Sequence, residues 1–150
     1  MEETFTCCSH FLKMECHTLR KINRLQRLIS EQGELVFIIE DENGSRFGGF
    51  LSVSFEIREK FYGNGECFLF DIKKDGTNYY PASLLNDLFF FSDEDGFGFG
   101  SEEHYGLFID KSLRKGSSYH CKTYNNETLS TKNHFTPTKL EVWGFNKPKD

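Results

Sequence analysis

The chain has 150 residues, a formal net charge of −5 and 17 phenylalanines. That length accommodates one domain with a substantial aromatic core and is short for two. The acidic balance argues against nucleic acid as a main partner, because phosphate binding needs a basic face, and no run of ~20 apolar residues is present to span a bilayer.

Residues 1–10 show no periodicity and are expected to be flexible. Glu2 and Glu3 stand where a secretory leader would carry a basic region, so the N-terminus does not read as a signal peptide. The five cysteines make no disulfide framework, which fits a reducing, cytoplasmic location. From Phe11 onward Leu12, Cys16, Leu19, Ile22, Leu25 or Gln26, and Ile29 recur every three or four positions. Arg20, Lys21, Arg24 and Arg27 interleave with them. This spacing predicts an amphipathic helix over residues 11–30, with Gly33 placed to cap it in a left-handed conformation. Its basic residues read as a solvated face rather than as a site for an acidic partner.

The core is expected over residues 34–146. Glu34–Glu40 (ELVFIIE) is a buried strand by its apolar, β-branched run, and Asp41-Glu42-Asn43-Gly44 is a hairpin turn. After Gly48-Gly49, the residues Leu51, Val53, Phe55 and Ile57 alternate with Ser52, Ser54, Glu56 and Arg58. That period of two predicts a strand with one wet face. Cys67–Ile72 is the next strand, residues 77–87 read as irregular, and Leu88–Phe91 as a short strand. Three more are expected at Tyr105–Asp110, Tyr119–Tyr124 and Thr138–Phe145. The fold class is therefore mainly β with helices (α+β): a two-sheet antiparallel β-sandwich flanked by short helices, in a single domain over residues 1–150.

Several candidate sites fail on their chemistry. From Ser92 through Asp110 there are six acidic residues and no Lys or Arg. Placed on the calcium-loop pattern from Asp93, the stretch puts Phe97 at an oxygen-ligand position and His104 where a bidentate Glu belongs. Gly96, Gly98 and Gly100 form a GxGxG run, but Ser101 replaces the third glycine of a dinucleotide loop and no helix follows. The glycines read instead as a bent strand that admits Phe97 and Phe99 to the core. Cys7, Cys8, His10, Cys16 and His17 lack matched zinc spacing. Ser117, Ser118, His120 and Cys121 lie close in sequence, but neighbouring side chains on a strand face apart, and no nucleophile elbow is present. No metal, cofactor or catalytic residue is assigned.

Ordered motifs over some hundred residues carry a family likeness. They are Phe47-Gly48-Gly49-Phe50; Tyr62-Gly63-Asn64-Gly65-Glu66 leading into Phe68-Leu69-Phe70; Gly106-Leu107-Phe108-Ile109-Asp110; Gly116-Ser117-Ser118; Cys121 to Asn126; Leu129-Ser130; and Glu141-Val142-Trp143-Gly144-Phe145. In this order they resemble the TLDc domain of oxidation-resistance proteins. The resemblance implies a β-sandwich with helices, a role in oxidative-stress resistance and, as in several members, direct binding to the vacuolar proton-pumping ATPase (V-ATPase). It brings no established catalytic residues. The motif positions Gly48, Gly49, Glu66, Gly116, Ser118, Cys121 and Asn126 are the candidates for shaping a binding surface, and each also has an alternative role in turns and packing. Three other readings stay open: a thiol-dependent antioxidant acting through Cys121, a hydrolytic enzyme, and a sugar-binding sandwich.

Overall fold

The computed structural model describes residues 3–5, 10–15 and 22–145, the first two segments by their backbone alone. Its strands are β1 (Glu3–Phe5), β2 (His10–Glu15), β3 (Leu35–Asp41), β4 (Arg46–Leu51), β5 (Phe68–Lys73), β6 (Gly76–Pro81), β7 (Phe90–Asp93), β8 (Gly96–Ser101), β9 (Tyr105–Asp110), β10 (Gly116–Ser117), β11 (His134–Phe135) and β12 (Pro137–Gly144). They form a seven-stranded sheet in the order β1-β2-β12-β3-β4-β5-β6 and a five-stranded sheet in the order β11-β10-β9-β8-β7. Every strand pair is antiparallel.

The core lies between the sheets and follows from period-two alternation. Leu35, Phe37 and Ile39 of β3 point inward, as do Leu140 and Val142 of β12. Phe97 and Phe99 of β8 face them with no exposure. Phe37 sits among Phe90, Phe97 and Phe99, with ring centroids 5.0–6.1 Å apart. Fully burying one such side chain stabilises the fold by about 1.5–3 kcal/mol relative to leaving it in water.

The helix α1 (Ile22–Ile29) is shorter than the sequence period suggested. It buries Ile22, Leu25, Gln26 and Ile29, a spacing of three and four that marks one face. Ile22 N–H donates to Lys111 O at 3.0 Å and Gln26 Nε2 to Asp93 O at 3.1 Å, so α1 closes the sandwich end that carries the β7–β8 turn. Glu31 takes the left-handed conformation after the helix (φ 61°), and Gly33 takes it again two residues later (φ 78°).

Where a helix was expected from Phe11, the backbone forms β2, in register with β12 from Lys139↔Glu15 to Gly144↔His10. The physical reason is competition: a short isolated helix is marginal, while β12 offers a row of backbone partners. Glu3–Phe5, expected to be flexible, pairs with β2. The expected strand through Ile57 stops at Leu51. Beyond it Phe55 still enters the core and makes an isolated bridge to Ser30, but Ile57 is 43% exposed. Residues 76–81, read as irregular in part, form β6, an edge strand with almost no buried side chain. Tyr119–Tyr124 is not a strand, because its backbone bonds go elsewhere, as described next.

Candidate functional site

The motif positions fall into three groups. Gly48 and Gly49 lie in the centre of β4. A Cβ on Gly48 would stand 1.7 Å from Phe37 O, so the glycine is required for β3 and β4 to approach, and the Phe99 ring rests on Gly49. Gly116 starts β10 under the ring of Phe135. These glycines are packing positions.

Ser118, Cys121 and Asn126 form the second group, a polar knot with no exposure at any of the three. Ser118 Oγ donates to Gly106 O at 2.7 Å and accepts from Leu129 N–H at 2.9 Å. Asn126 Nδ2 donates to Tyr119 O (3.0 Å) and Glu127 O (2.9 Å), while its Oδ1 accepts from Cys121 N–H and Cys121 Sγ, both at 3.3 Å. Tyr119 N–H still reaches Tyr105 O of β9 at 3.2 Å, but one side chain replaces the ladder partners that a strand would supply to Tyr119 C=O and Cys121 N–H. Burial pushes the Cys121 thiol above its ordinary range, and its sulfur sits against Gly100 and Gly106. Gly100 is left-handed (φ 71°), and a side chain there would strike Cys121 and Tyr124. Tyr124 donates its hydroxyl to Phe89 O at 2.7 Å, and burial raises its pKa far above the usual tyrosine value.

The serine, histidine and cysteine that are close in sequence are not assembled for nucleophilic chemistry. His120 is exposed and donates Nδ1–H to Asn126 O at 2.9 Å, while the Ser118 hydroxyl and the Cys121 thiol are both held inside. The acidic stretch is split between two hairpin turns, at Glu94-Asp95 and at Glu102–His104. β8 separates them by roughly 20 Å, and Asp93 Oδ1 accepts from Asp95 N–H at 2.8 Å to brace the first turn. Cys7, Cys8, Cys16 and His17 lie outside the described residues. Among the described residues no cluster of three or more His, Cys, Asp or Glu converges on a metal position. No helix among them is long and apolar enough to cross a membrane. A shallow cleft of about 260 Å³ runs along Glu42, Lys115, Gly116, His134 and Thr136, but Glu42 already accepts from Thr136 N–H and His134 Nε2 lies 2.8 Å from Tyr119 Oη.

Glu66 stands apart as the third group, the one motif position of the seven that is exposed. Its N–H donates to Asn64 Oδ1 at 2.9 Å within the Asn64–Glu66 turn. A Cβ on Gly65 in that turn would meet Leu84 Cδ2 at 2.9 Å, so Leu84 packs on the turn's backbone. Leu84 and Leu85 are 73% and 74% exposed, the most exposed large apolar side chains among the described residues. They are not on a loose loop. Ser83 N–H donates to Thr123 O at 2.8 Å, Ser83 Oγ donates to Lys122 O at 2.5 Å and accepts from Leu85 N–H at 3.3 Å. Thr123 Oγ1 in turn donates to Asn86 Oδ1 at 2.9 Å. The left-handed backbone at Leu84 (φ 65°) is held by these bonds. Lys122 and Thr123 therefore hold the segment that displays two leucines, with Leu84 beside the Glu66 turn.

The sequence reading missed Leu84 and Leu85. Their signal was available: two adjacent large aliphatic residues inside a stretch with neither a helical nor a strand period, flanked by Ser83 and Asn86, turn-forming residues.

Comparisons with known proteins agree with the motif reading. A family model described as the TLDc domain matches residues 19–146. MTOR-associated protein MEAK7 of Mus musculus is 34% identical over 126 residues, covering 78% of this chain and 28% of the relative, and the Homo sapiens protein is 33% identical over 132 residues. Oxidation resistance protein 1 of Bos taurus is 34% identical over 112 residues, covering 74% of this chain and 13% of the relative. The chain thus spans less than a third of the length of the relatives it matches.

Proposed function

The chain belongs to the TLDc domain family, and from that premise we propose that residues 1–150 act as one non-enzymatic protein-interaction unit in the cytoplasm, with V-ATPase subunits as partner and a role in oxidative-stress resistance. The partner site is the surface made by Glu66, Leu84 and Leu85. One observation carries this reading: the two leucines are displayed to solvent on a backbone fixed by side-chain hydrogen bonds, next to the exposed motif residue. Apolar side chains on a backbone that is already fixed leave less conformational entropy to lose on docking, and exposed apolar patches mark interaction sites. Two of the matched relatives carry names that speak to the same theme, association with MTOR and resistance to oxidation.

The support for a non-enzymatic role lies in how the reactive groups are employed. Ser118, Cys121 and Asn126 each hold backbone or side-chain partners inside the sandwich. A thiol raised by burial is a poor nucleophile at neutral pH. The test is affinity capture from cell lysate with the folded chain as bait, read by mass spectrometry for V-ATPase subunits. Enrichment that drops for Glu66→Lys supports the surface. Repeated failure of the wild-type chain to enrich any V-ATPase subunit overturns the partner assignment.

A further inference from the structure

We propose that β6 is a homodimerisation edge, at which two copies of the chain pair antiparallel along Gly76–Pro81 and join their seven-stranded sheets. β6 ends that sheet, with β5 on one side and, among the described residues, no strand on the other. The edge at β7 is handled differently. Tyr62 bridges Phe90, and Arg58 and Glu59 donate to Ser92 O, so the free side of β7 is covered.

The register fixes which groups of β6 are open. Lys74-Asp75 is a two-residue turn, so Lys73/Gly76 is the closing hydrogen-bonded pair. Alternation then makes Asp71/Asn78 and Leu69/Tyr80 the other bonded pairs. The N–H and C=O of Thr77 and Tyr79 point away from β5. A two-fold axis at Asn78 places Thr77 of each copy opposite Tyr79 of the other, and their outward groups form a matched set of N–H···O=C bonds. Pro81 has no N–H and ends the pairing.

The charges suit a second copy. Gly76-Thr77-Asn78-Tyr79-Tyr80-Pro81 carries none, so no like charges meet along the strand. Lys73, Lys74 and Asp75 make the turn end net positive. The other end is net negative: Glu127 acts on Tyr80 and Glu66 adjoins the turn under Leu84, against Lys122, whose carbonyl holds Ser83. Antiparallel pairing sets each positive end beside the negative end of the second copy. The strand also lacks the internal lysine with which exposed edges are commonly protected. Tyr79 is 66% exposed on the outer face, against Phe68 at 5.8 Å, and the pairing covers it.

This inference does not rest on the partner surface above, and its failure leaves capture of V-ATPase subunits untouched. The experiment is sedimentation equilibrium of the 150-residue chain over a concentration series reaching the high micromolar range, with Thr77→Pro and Tyr79→Lys as variants and circular dichroism to confirm the fold. The wild type is expected to show a monomer–dimer equilibrium. Thr77→Pro removes an outward N–H that has no partner among the described residues, hence two bonds per dimer, and is expected to weaken association about ten-fold or more. Tyr79→Lys weakens it by placing like charges near the axis. A wild type that stays monomeric throughout, or two variants that associate like the wild type, overturns the proposal.

Discussion

Replacing Asn126 by alanine removes the side chain that stands in for a strand. The change leaves Cys121 N–H, Tyr119 C=O and Glu127 C=O without their amide partner. Glu127 is exposed and its carbonyl can turn to water, whereas Cys121 is fully buried and Tyr119 half-buried. An orphaned buried group costs about 1–3 kcal/mol. With two such groups and a small void in the packing, Asn126→Ala is expected to lose about 2–5 kcal/mol, a large part of the ~5–15 kcal/mol typical of a domain. For this chain length the loss corresponds to a fall in Tm of roughly 5–15 °C. Asn126→Asp keeps the acceptor and nearly the volume but loses both N–H donors and brings a carboxylate against two carbonyls. It is expected to be at least as damaging, which separates unpaired hydrogen bonds from lost volume. Urea unfolding followed by Trp143 fluorescence and by far-ultraviolet circular dichroism reads the change. A loss within about 0.5 kcal/mol for Asn126→Ala, the range of ordinary surface changes, would refute the role given to this side chain.

Other predictions follow from the same geometry. Gly48→Ala is expected to prevent folding or to cost more than the usual ~1–3 kcal/mol of overpacking, because its Cβ would meet the backbone carbonyl of Phe37 at 1.7 Å; the yield of soluble, cooperatively melting protein checks this. Cys121 is expected to react with a thiol reagent only as fast as the chain opens, so its rate should rise with urea, and Cys121→Ser should protect cells from peroxide as the wild type does. Tyr80 has its pKa raised from 10.0 to about 12, by burial first and then by its hydrogen bond to Asp71. A group whose folded pKa is raised contributes stability that is present below its unfolded value and is lost as pH climbs through the folded one. The chain should therefore lose stability between pH 10.0 and about 12, and Tyr80→Phe should flatten that part of the curve in an ultraviolet titration paired with urea melts.

Where local pattern and tertiary pairing agree, the fold was legible. β9 falls at Tyr105–Asp110 as its period predicts, and β3, β5 and β12 agree to within a residue or two at each end. The misreadings share a cause. The alternation through Ile57 outlasts the strand, because Phe55 reaches the core from an irregular segment. β6 has almost no buried face, so no hydrophobic period announces it. His10–Glu15 carries a helical spacing but meets the open edge of β12. Tyr119–Tyr124 has strand-like composition, yet the carboxamide of Asn126 takes its bonds. The site was legible only in part for the same reason. Motif residues can be read from sequence, but whether Ser118 or Cys121 faces solvent depends on a knot that closes through Gly106 and Leu129.

The central claim, that the six buried motif residues build the scaffold and the surface of Glu66, Leu84 and Leu85 does the binding, is tested most directly by one comparison. The Leu84→Ser/Leu85→Ser double variant removes two exposed side chains and is expected to melt within a few degrees of the wild type, since surface changes typically stay within about 0.5 kcal/mol each. The measurement is the amount of V-ATPase subunits that this variant retains from lysate, relative to wild type at equal folded concentration. The account predicts near-complete loss of capture with the fold intact. Undiminished capture by the double variant would contradict it.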